Sequence, residues 1–233
     1  TILKYLKHTM VVGTSYLCLH EIFKSLNNLN RSFPEVIFPC LSIYFPSISL
    51  ITSLVASIFY KKNEVKCERV DFFNDEINKV WESSKENNSF IALRNNEYTN
   101  FLYKDKKFIK LKFIEKNEII GWSISICNKV NNHKHFGNMN LGSIIDCLAL
   151  EGREISIIEN TFKTLKTAGA DLIVSNQSHI KWKKAFWKNG FLRGPSNFIF
   201  ASSELLSKKL NLKNKLNNDM HITRGDGDGP INL

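Results

Sequence analysis

Residues Leu141–Leu150, LGSIIDCLAL, form an apolar run broken by a single charge, Asp146. Such a run at strand length is expected of a strand covered on both faces. After a short polar break, Arg153–Ala168 carries Ile157, Ile158, Phe162 and Leu165 at helical spacing, and Gly169 stands where a helix ends. Asp171–Ser175 is again short and apolar. A buried strand, a covering helix and a second buried strand fit a layered mixed sheet with helices on its faces.

The flanking segments extend this reading. Val65–Val70 is expected to be a strand, and Asp71–Ser84 a helix with Asn74 as N-cap and Ile77, Val80 and Trp81 on one face. Arg94–Tyr103 reads as a short helix and Phe108–Glu115 as a strand. Lys116–Asn117 is a turn into a strand over Glu118–Cys127, with Asn128–Asn140 as a polar loop. Ser178–Asn189 is a basic, aromatic helix stopped by Gly190, its Trp182, Phe186 and Trp187 forming a stripe expected in the core. Asn197–Ser202 is a last strand. The expected fold is a mixed, mostly antiparallel sheet with helices on both faces. Residues 65–205 would form this domain, 206–233 a turn-rich tail folding back over the sheet, and 1–64 a different unit.

Within 1–64, residues Val36–Tyr60 carry no charge, but Pro39, Pro46 and six hydroxyls interrupt the run. The run is long enough to span a bilayer, but we favour a buried or interfacial helix near Ser47–Tyr60, through which membrane contact can come. The chain starts at Thr1, as a processed or partial chain would.

The net charge of +10 does not by itself call for nucleic acid. The excess is Lys spread through a sequence rich in Asn and Ile, so no DNA partner is expected, while an anionic small ligand remains compatible. The five cysteines, Cys18, Cys40, Cys67, Cys127 and Cys147, are odd in number and form no C-x-x-C pair. They suit buried thiols in a reducing, cytoplasmic setting, membrane-associated if 36–60 makes contact, and no metal site is expected.

The element order, with KKAFWKNGF placing Gly190 and Phe191 at the end of the last helix, resembles the GNAT (N-acetyltransferase-like) superfamily over about Val65–Ser203. The tail MHITRGDGDGPINL and the stretch LRNNEYTNFLYKD resemble a bacterial branch linked to polysaccharide biosynthesis, whose members often carry two GNAT-like halves. Residues 1–64 would then be the end of a first half plus a connector. The resemblance implies a splay between the fourth strand, Leu141–Leu150, and the fifth, Asp171–Ser175. Acetyl-CoA or another acyl-CoA would lie in the splay with its pyrophosphate on the helix N-terminus. It further implies acyl transfer to an amino-sugar or similar small amine.

On that resemblance the cofactor would meet Leu148, Leu150, Gly152, Arg153, Glu154 and Asn176. Several of these depart from the family pattern. Glu154 stands where a small residue lets the backbone approach phosphate, and with Glu151 it would repel an anion, which Arg153 could offset in part. Phe186 replaces the tyrosine that returns a proton to the thiolate. His179, at the start of the following helix, and Asp146, whose pKa burial would raise unless it is paired, are the candidate catalytic residues. A GNAT-like fold without CoA chemistry, serving as a binding or scaffolding module, is the alternative. A Fem-like aminoacyl transferase, the one reading with a tRNA partner, is another.

Overall fold

The computed structural model describes residues 4–7, 9–14, 65–133, 137–194, 199–209 and 219–227. The uncharged run 36–60 and the thiols of Cys18 and Cys40 lie outside them. Among the described residues, no helix is long and apolar enough to cross a membrane.

The strands are β1 (Lys4–Lys7), β2 (Thr9–Thr14), β3 (Lys66–Val70), β4 (Phe90–Ile91), β5 (Ile109–Glu115), β6 (Glu118–His133), β7 (Gly137–Ala149), β8 (Leu172–Gln177), β9 (Phe191–Gly194), β10 (Ile199–Ser202) and β11 (Met220–His221). The helices are α1 (Glu76–Lys85), α2 (Asn96–Leu102), α3 (Glu154–Thr167), α4 (Ile180–Lys188) and α5 (Glu204–Lys209), with a 3-10 turn at Arg224–Asp226. Seven strands form one sheet in the order β3-β5-β6-β7-β8-β2-β9. Only β7 and β8 run parallel within it, so the sheet is mixed and mostly antiparallel, as expected.

Both faces of the sheet are covered. Ile144, Cys147 and Ala149 of β7 pack with Ile157, Ile158 and Leu165 of α3 and with Trp182 and Phe186 of α4. On the other face, Ile145 and Leu148 pack with Trp122, Ile124, Ile77 and Val80. The 14-residue α3 closes with Ala170 N–H on the Leu165 carbonyl and Gly169 N–H on that of Lys166, both 3.0 Å, with Gly169 at φ +86°. That is a Schellman ending, which a residue with a Cβ would strain.

The structure corrects several local expectations. The described part of the expected loop Asn128–Asn140 is strand: β6 runs to His133 and β7 starts at Gly137, pairing Asn128 with Leu141 and Val130 with Met139. Ladder hydrogen bonds need no apolar side chains, so a polar hairpin arm gives no hydrophobic signal. Helix α1 starts at Glu76, with Asp75 rather than Asn74 at its N-cap. Helix α2 starts at Asn96, capped by the Asn95 side chain accepting from Tyr98 N–H, which leaves Arg94 outside the helix and buried. Trp187 is 67% exposed and so leaves the stripe that Trp182 and Phe186 keep in the core. Cys147 is buried, but Cys67 and Cys127 are only half-buried. Strand β2 lies hydrogen-bonded between β8 and β9, so the sheet draws on residues before position 65.

Candidate functional site

β7 and β8 pair from Leu141 with Leu172 to Ile144 with Ser175. Beyond that point β7 continues to Ala149 and β8 to Gln177 without pairing, so the two strands part. A bulge lies at the fork: Ile124 faces Asp146 while Ser125 faces Ile144, leaving Ile145 extra. Such a bulge re-aims the residue beside it. Here it sends Asp146 toward Tyr103, on the face opposite α3, while Cys147 returns to the α3 face.

The inner end of the fork is filled by the chain's own tail. Ser178 N–H donates to the Ile222 carbonyl at 3.1 Å, and Ile222 N–H donates to Ser178 Oγ at 2.8 Å. Thr223 bridges Gln177 in antiparallel fashion, and Arg224 Nη1 reaches Asn176 Oδ1 at 3.0 Å. On the other side, β11 pairs parallel with β4, and His221 Nε2 donates to the Cys147 carbonyl at 3.0 Å. The tail does fold back, but into the sheet rather than over it.

Asp146 is the anchor of this arrangement. It is 3% exposed and accepts from Arg94 Nε (3.0 Å), the Tyr103 hydroxyl (3.2 Å) and Thr223 Oγ1 (3.1 Å). Burial pushes its carboxyl up and the Arg94 guanidinium pulls against it. Arg94 spans the gap to the tail, its Nη2 lying 2.6 Å from Asp226 Oδ2. Asp146 is therefore already taken by four donors, of which Arg94 and Thr223 also tie it to the tail, which leaves little of a free base there.

Outside the tail remains a small, partly open cleft of about 30 Å³. Ser84, Asn87 and Asn88 at the end of α1 form one wall, and the Ser84 hydroxyl is tied to the Ala149 carbonyl at 3.1 Å. Leu148 and Ala149 line it from β7, Glu151 and Glu154 from the start of α3, and His179, Lys181 and Trp182 from the start of α4. His221 faces it from the tail, its ring 6.2 Å from that of His179. His179 caps α4, its Nδ1 accepting from Lys181 N–H at 3.2 Å, so its ring proton sits on Nε2. Burial lowers the pKa of His179 to about 4 and that of His221 well below its ordinary value. Both imidazoles are neutral near pH 7.

The residues at the start of α3 do not suit a pyrophosphate. Glu154 is half-buried; burial raises its pKa, against the pull of its own backbone amide, of Lys181 and of the Gly152 amide. Two of the amides a phosphate would take thus already face a carboxylate. Arg153 is turned to Glu115 at 2.7 Å, and Glu151 is paired with Lys181. Leu150 N–H is bound to the Ile120 carbonyl at 2.8 Å, and Asn176 to Arg224. Gly152, at φ +80° with open space around it, makes the turn.

The sequence reading thus brings His179, Leu148 and Glu154 to one cleft, with Gly152 in the turn beside it, and puts Asp146 in the anchor behind it. Nothing in the sequence singles out Arg94, Tyr103, His221 or Thr223, whereas Asp226, with Arg224 and Asp228 among the tail glycines, stands out as a candidate sugar-hydroxyl or metal contact. The one signal for the tail residues was the density of polar side chains in HITRGD. Among the described residues, no group of three His, Cys, Asp or Glu is placed to hold a metal.

No family model matches the chain, and no curated protein does. Among solved structures, it is similar to an aminoglycoside acetyltransferase from an uncultured soil metagenomic sample, crystallised with trehalose: 17% identity, TM-score 0.33, covering 48% of this chain and 76% of that one. It is similar to Saccharomyces cerevisiae N-myristoyltransferase with bound myristoyl-CoA at 10% identity and TM-score 0.43, covering 85% of this chain and 51% of the other. A Trypanosoma brucei acetyltransferase aligns at 9% identity and TM-score 0.33, over 46% of this chain and 78% of that one. Likeness at this level carries no argument about what this chain does.

Proposed function

We propose that this chain uses a GNAT-like fold as a binding module for a small polar ligand, without acyl-CoA chemistry. The observation that carries this reading is the His221 hydrogen bond to the Cys147 carbonyl, made by a tail segment seated between β7 and β8. An extended thioester arm would need that strand edge, and the edge is taken. The Glu154 carboxylate adds a repulsive charge where the phosphates would sit. What the cleft offers instead is amide and hydroxyl groups, two carboxylates, one Lys, two neutral imidazoles and an indole, which suits hydroxyls and a cationic amine better than a polyphosphate. An amino-sugar or similar small amine is the ligand class we favour. Titration calorimetry with acetyl-CoA tests the reading: no heat of binding is expected at concentrations up to about 1 mM. Micromolar binding to the intact chain would refute it.

The second reading is acyl-CoA-dependent N-acylation of the same kind of amine, in surface-polysaccharide synthesis. One observation favours it: His179 and His221 put two neutral imidazoles on the cleft wall, and a neutral imidazole can take a proton from an amine. We derive no step through the cofactor, because the residues that would hold it do not fit it. The aminoacyl-transferase reading rests on Lys excess alone and gains nothing from the cleft. That residues 1–64 end a first GNAT-like half, that 65–205 form the second, and that the protein is cytoplasmic all remain proposals of the resemblance.

A further inference from the structure

The outer face of α4 combines exposed apolar side chains with cations that have no carboxylate partner among the described residues. Ile180, Lys184, Trp187 and Lys188 follow one another at helical spacing within one arc of about 100°, while Trp182, Ala185 and Phe186 point to the core. On that outer arc, two of the four residues are apolar: Ile180 is 46% and Trp187 67% exposed. From Leu172 to Ser203 the sequence has no Asp or Glu but has five cations, Lys181, Lys183, Lys184, Lys188 and Arg193. Lys181 pairs with Glu151, across at the cleft. Among the described residues, Lys183, Lys184, Lys188 and Arg193 form no ion pair, while Lys112, Lys163 and Lys208 each have a carboxylate. Lys183 is partly buried and stands near Arg193, and both burial and that neighbouring charge hold its pKa down. The packing thus gathers like charges here rather than separating them.

We propose that this face of α4 binds an anionic lipid surface, with Trp187 and Ile180 entering the headgroup layer and Lys184, Lys188, Lys183 and Arg193 meeting the lipid charges. The apolar pair decides between the two anionic partners this chemistry could serve. A single-stranded RNA would use Trp187 for stacking and Lys for phosphates but has no use for Ile180. A headgroup layer takes both, since indole sits well at the interface and an aliphatic side chain gains by leaving water. Each Lys or Arg near such a surface strengthens binding about fivefold, so the unpaired cations suffice for reversible association. This surface lies on α4 and does not depend on what the cleft binds.

The test uses the whole chain with vesicles of phosphatidylcholine alone and of phosphatidylcholine with 30% phosphatidylserine, followed by co-sedimentation. Binding is expected to the anionic vesicles only, and to weaken at 0.5 M salt. Lys184→Glu with Lys188→Glu, both on the solvent side, should reduce partitioning by at least tenfold with an unchanged circular dichroism spectrum. Trp187→Ser should reduce it with the charges intact. Equal partitioning to neutral vesicles, indifference to the charge reversal, or no binding at all would overturn the proposal. So would tight binding of a 20-nucleotide RNA under conditions where the anionic vesicles are ignored.

Discussion

Arg94 and Asp226 are 132 residues apart in sequence, yet Arg94 Nη2 lies 2.6 Å from Asp226 Oδ2. The same guanidinium binds Asp146 through Nε and the Ala92 carbonyl through Nη1. One side chain thus joins the stretch before α2, the bulge of β7 and the tail. Replacing Arg94 by Met removes the countercharge of a carboxylate that is 3% exposed. We expect a loss of about 3–5 kcal/mol in urea unfolding, the range for breaking one side of a buried pair. Asp226→Asn, at a carboxylate whose side chain is 19% exposed, should cost less. If Arg94→Met lost under about 1 kcal/mol, Arg94 would not be the clamp.

Stability should fall on acidification through a defined window. His179 titrates at about 4 in the folded chain and near its ordinary 6.5 when unfolded. Above 6.5 both states hold it neutral and its contribution is full. Between 6.5 and 4 the unfolded state takes up a proton that the folded state refuses, so stability drops with pH by up to about 1.4 kcal/mol per pH unit for this group. Below 4 its contribution is gone. His221 acts in the same direction. His179→Asn keeps an N-cap acceptor for Lys181 N–H and removes the titration. Urea midpoints of this variant should therefore vary less between pH 7 and pH 4.5, and an unchanged slope would place the acid sensitivity elsewhere.

The approach of the tail to α2 can be probed by adding one methyl group. A Cβ on Gly225 would fall 2.0 Å from the Tyr103 hydroxyl, with the next contacts at 3.3 Å and 3.5 Å. Gly225→Ala should destabilise by about 1–3 kcal/mol through overpacking and loosen the tail. Tyr103→Phe removes the offending oxygen along with its 3.2 Å hydrogen bond to Asp146. The double variant should then be more stable than the sum of the two single losses allows. Hydrogen exchange at the Ile222 amide, which donates to Ser178 Oγ, reports tail docking directly. Simple additivity would mean that the backbone, not the hydroxyl, takes up the clash.

Local pattern was legible where one element could be judged alone. Leu141–Ala149 announced itself by burial on both faces, and α3 by its periodicity and Gly169. The Asn-rich arm of the β6–β7 hairpin and the four-residue β9 were not legible, because ladder pairing depends on the partner strand rather than on side-chain character. The site was less visible still. Asp146 stood out as a charge in an apolar strand, but its partners Arg94, Tyr103 and Thr223 come from positions 52, 43 and 77 residues away. Nothing in the spacing of Arg94 says that it will be 2% exposed. Glu154 gains meaning only through the family resemblance, which puts a charge where a small residue lets phosphate approach; in the structure it is half-buried at the start of α3.

Two obstacles to an acyl-CoA arm, the Glu154 carboxylate and the docked tail, can be lifted separately. Glu154→Gly alone frees the amides at the start of α3 but leaves His221 on the Cys147 carbonyl. It should therefore stay without measurable acetyl-CoA binding, as is expected of the unaltered chain. Combining it with Gly225→Ala, which loosens the tail, opens both places at once. If the fork between β7 and β8 keeps its shape, the double variant should bind acetyl-CoA at least tenfold more tightly than either single one, a gain of about 1.4 kcal/mol. Calorimetry on the four proteins separates the cases. Micromolar binding by Glu154→Gly alone would mean that one carboxylate was the whole barrier, and the tail would have to be reassigned as a wall of a working donor site. An inert double variant with the tail amides exchanging freely would mean that the fork itself no longer has the shape such an arm requires.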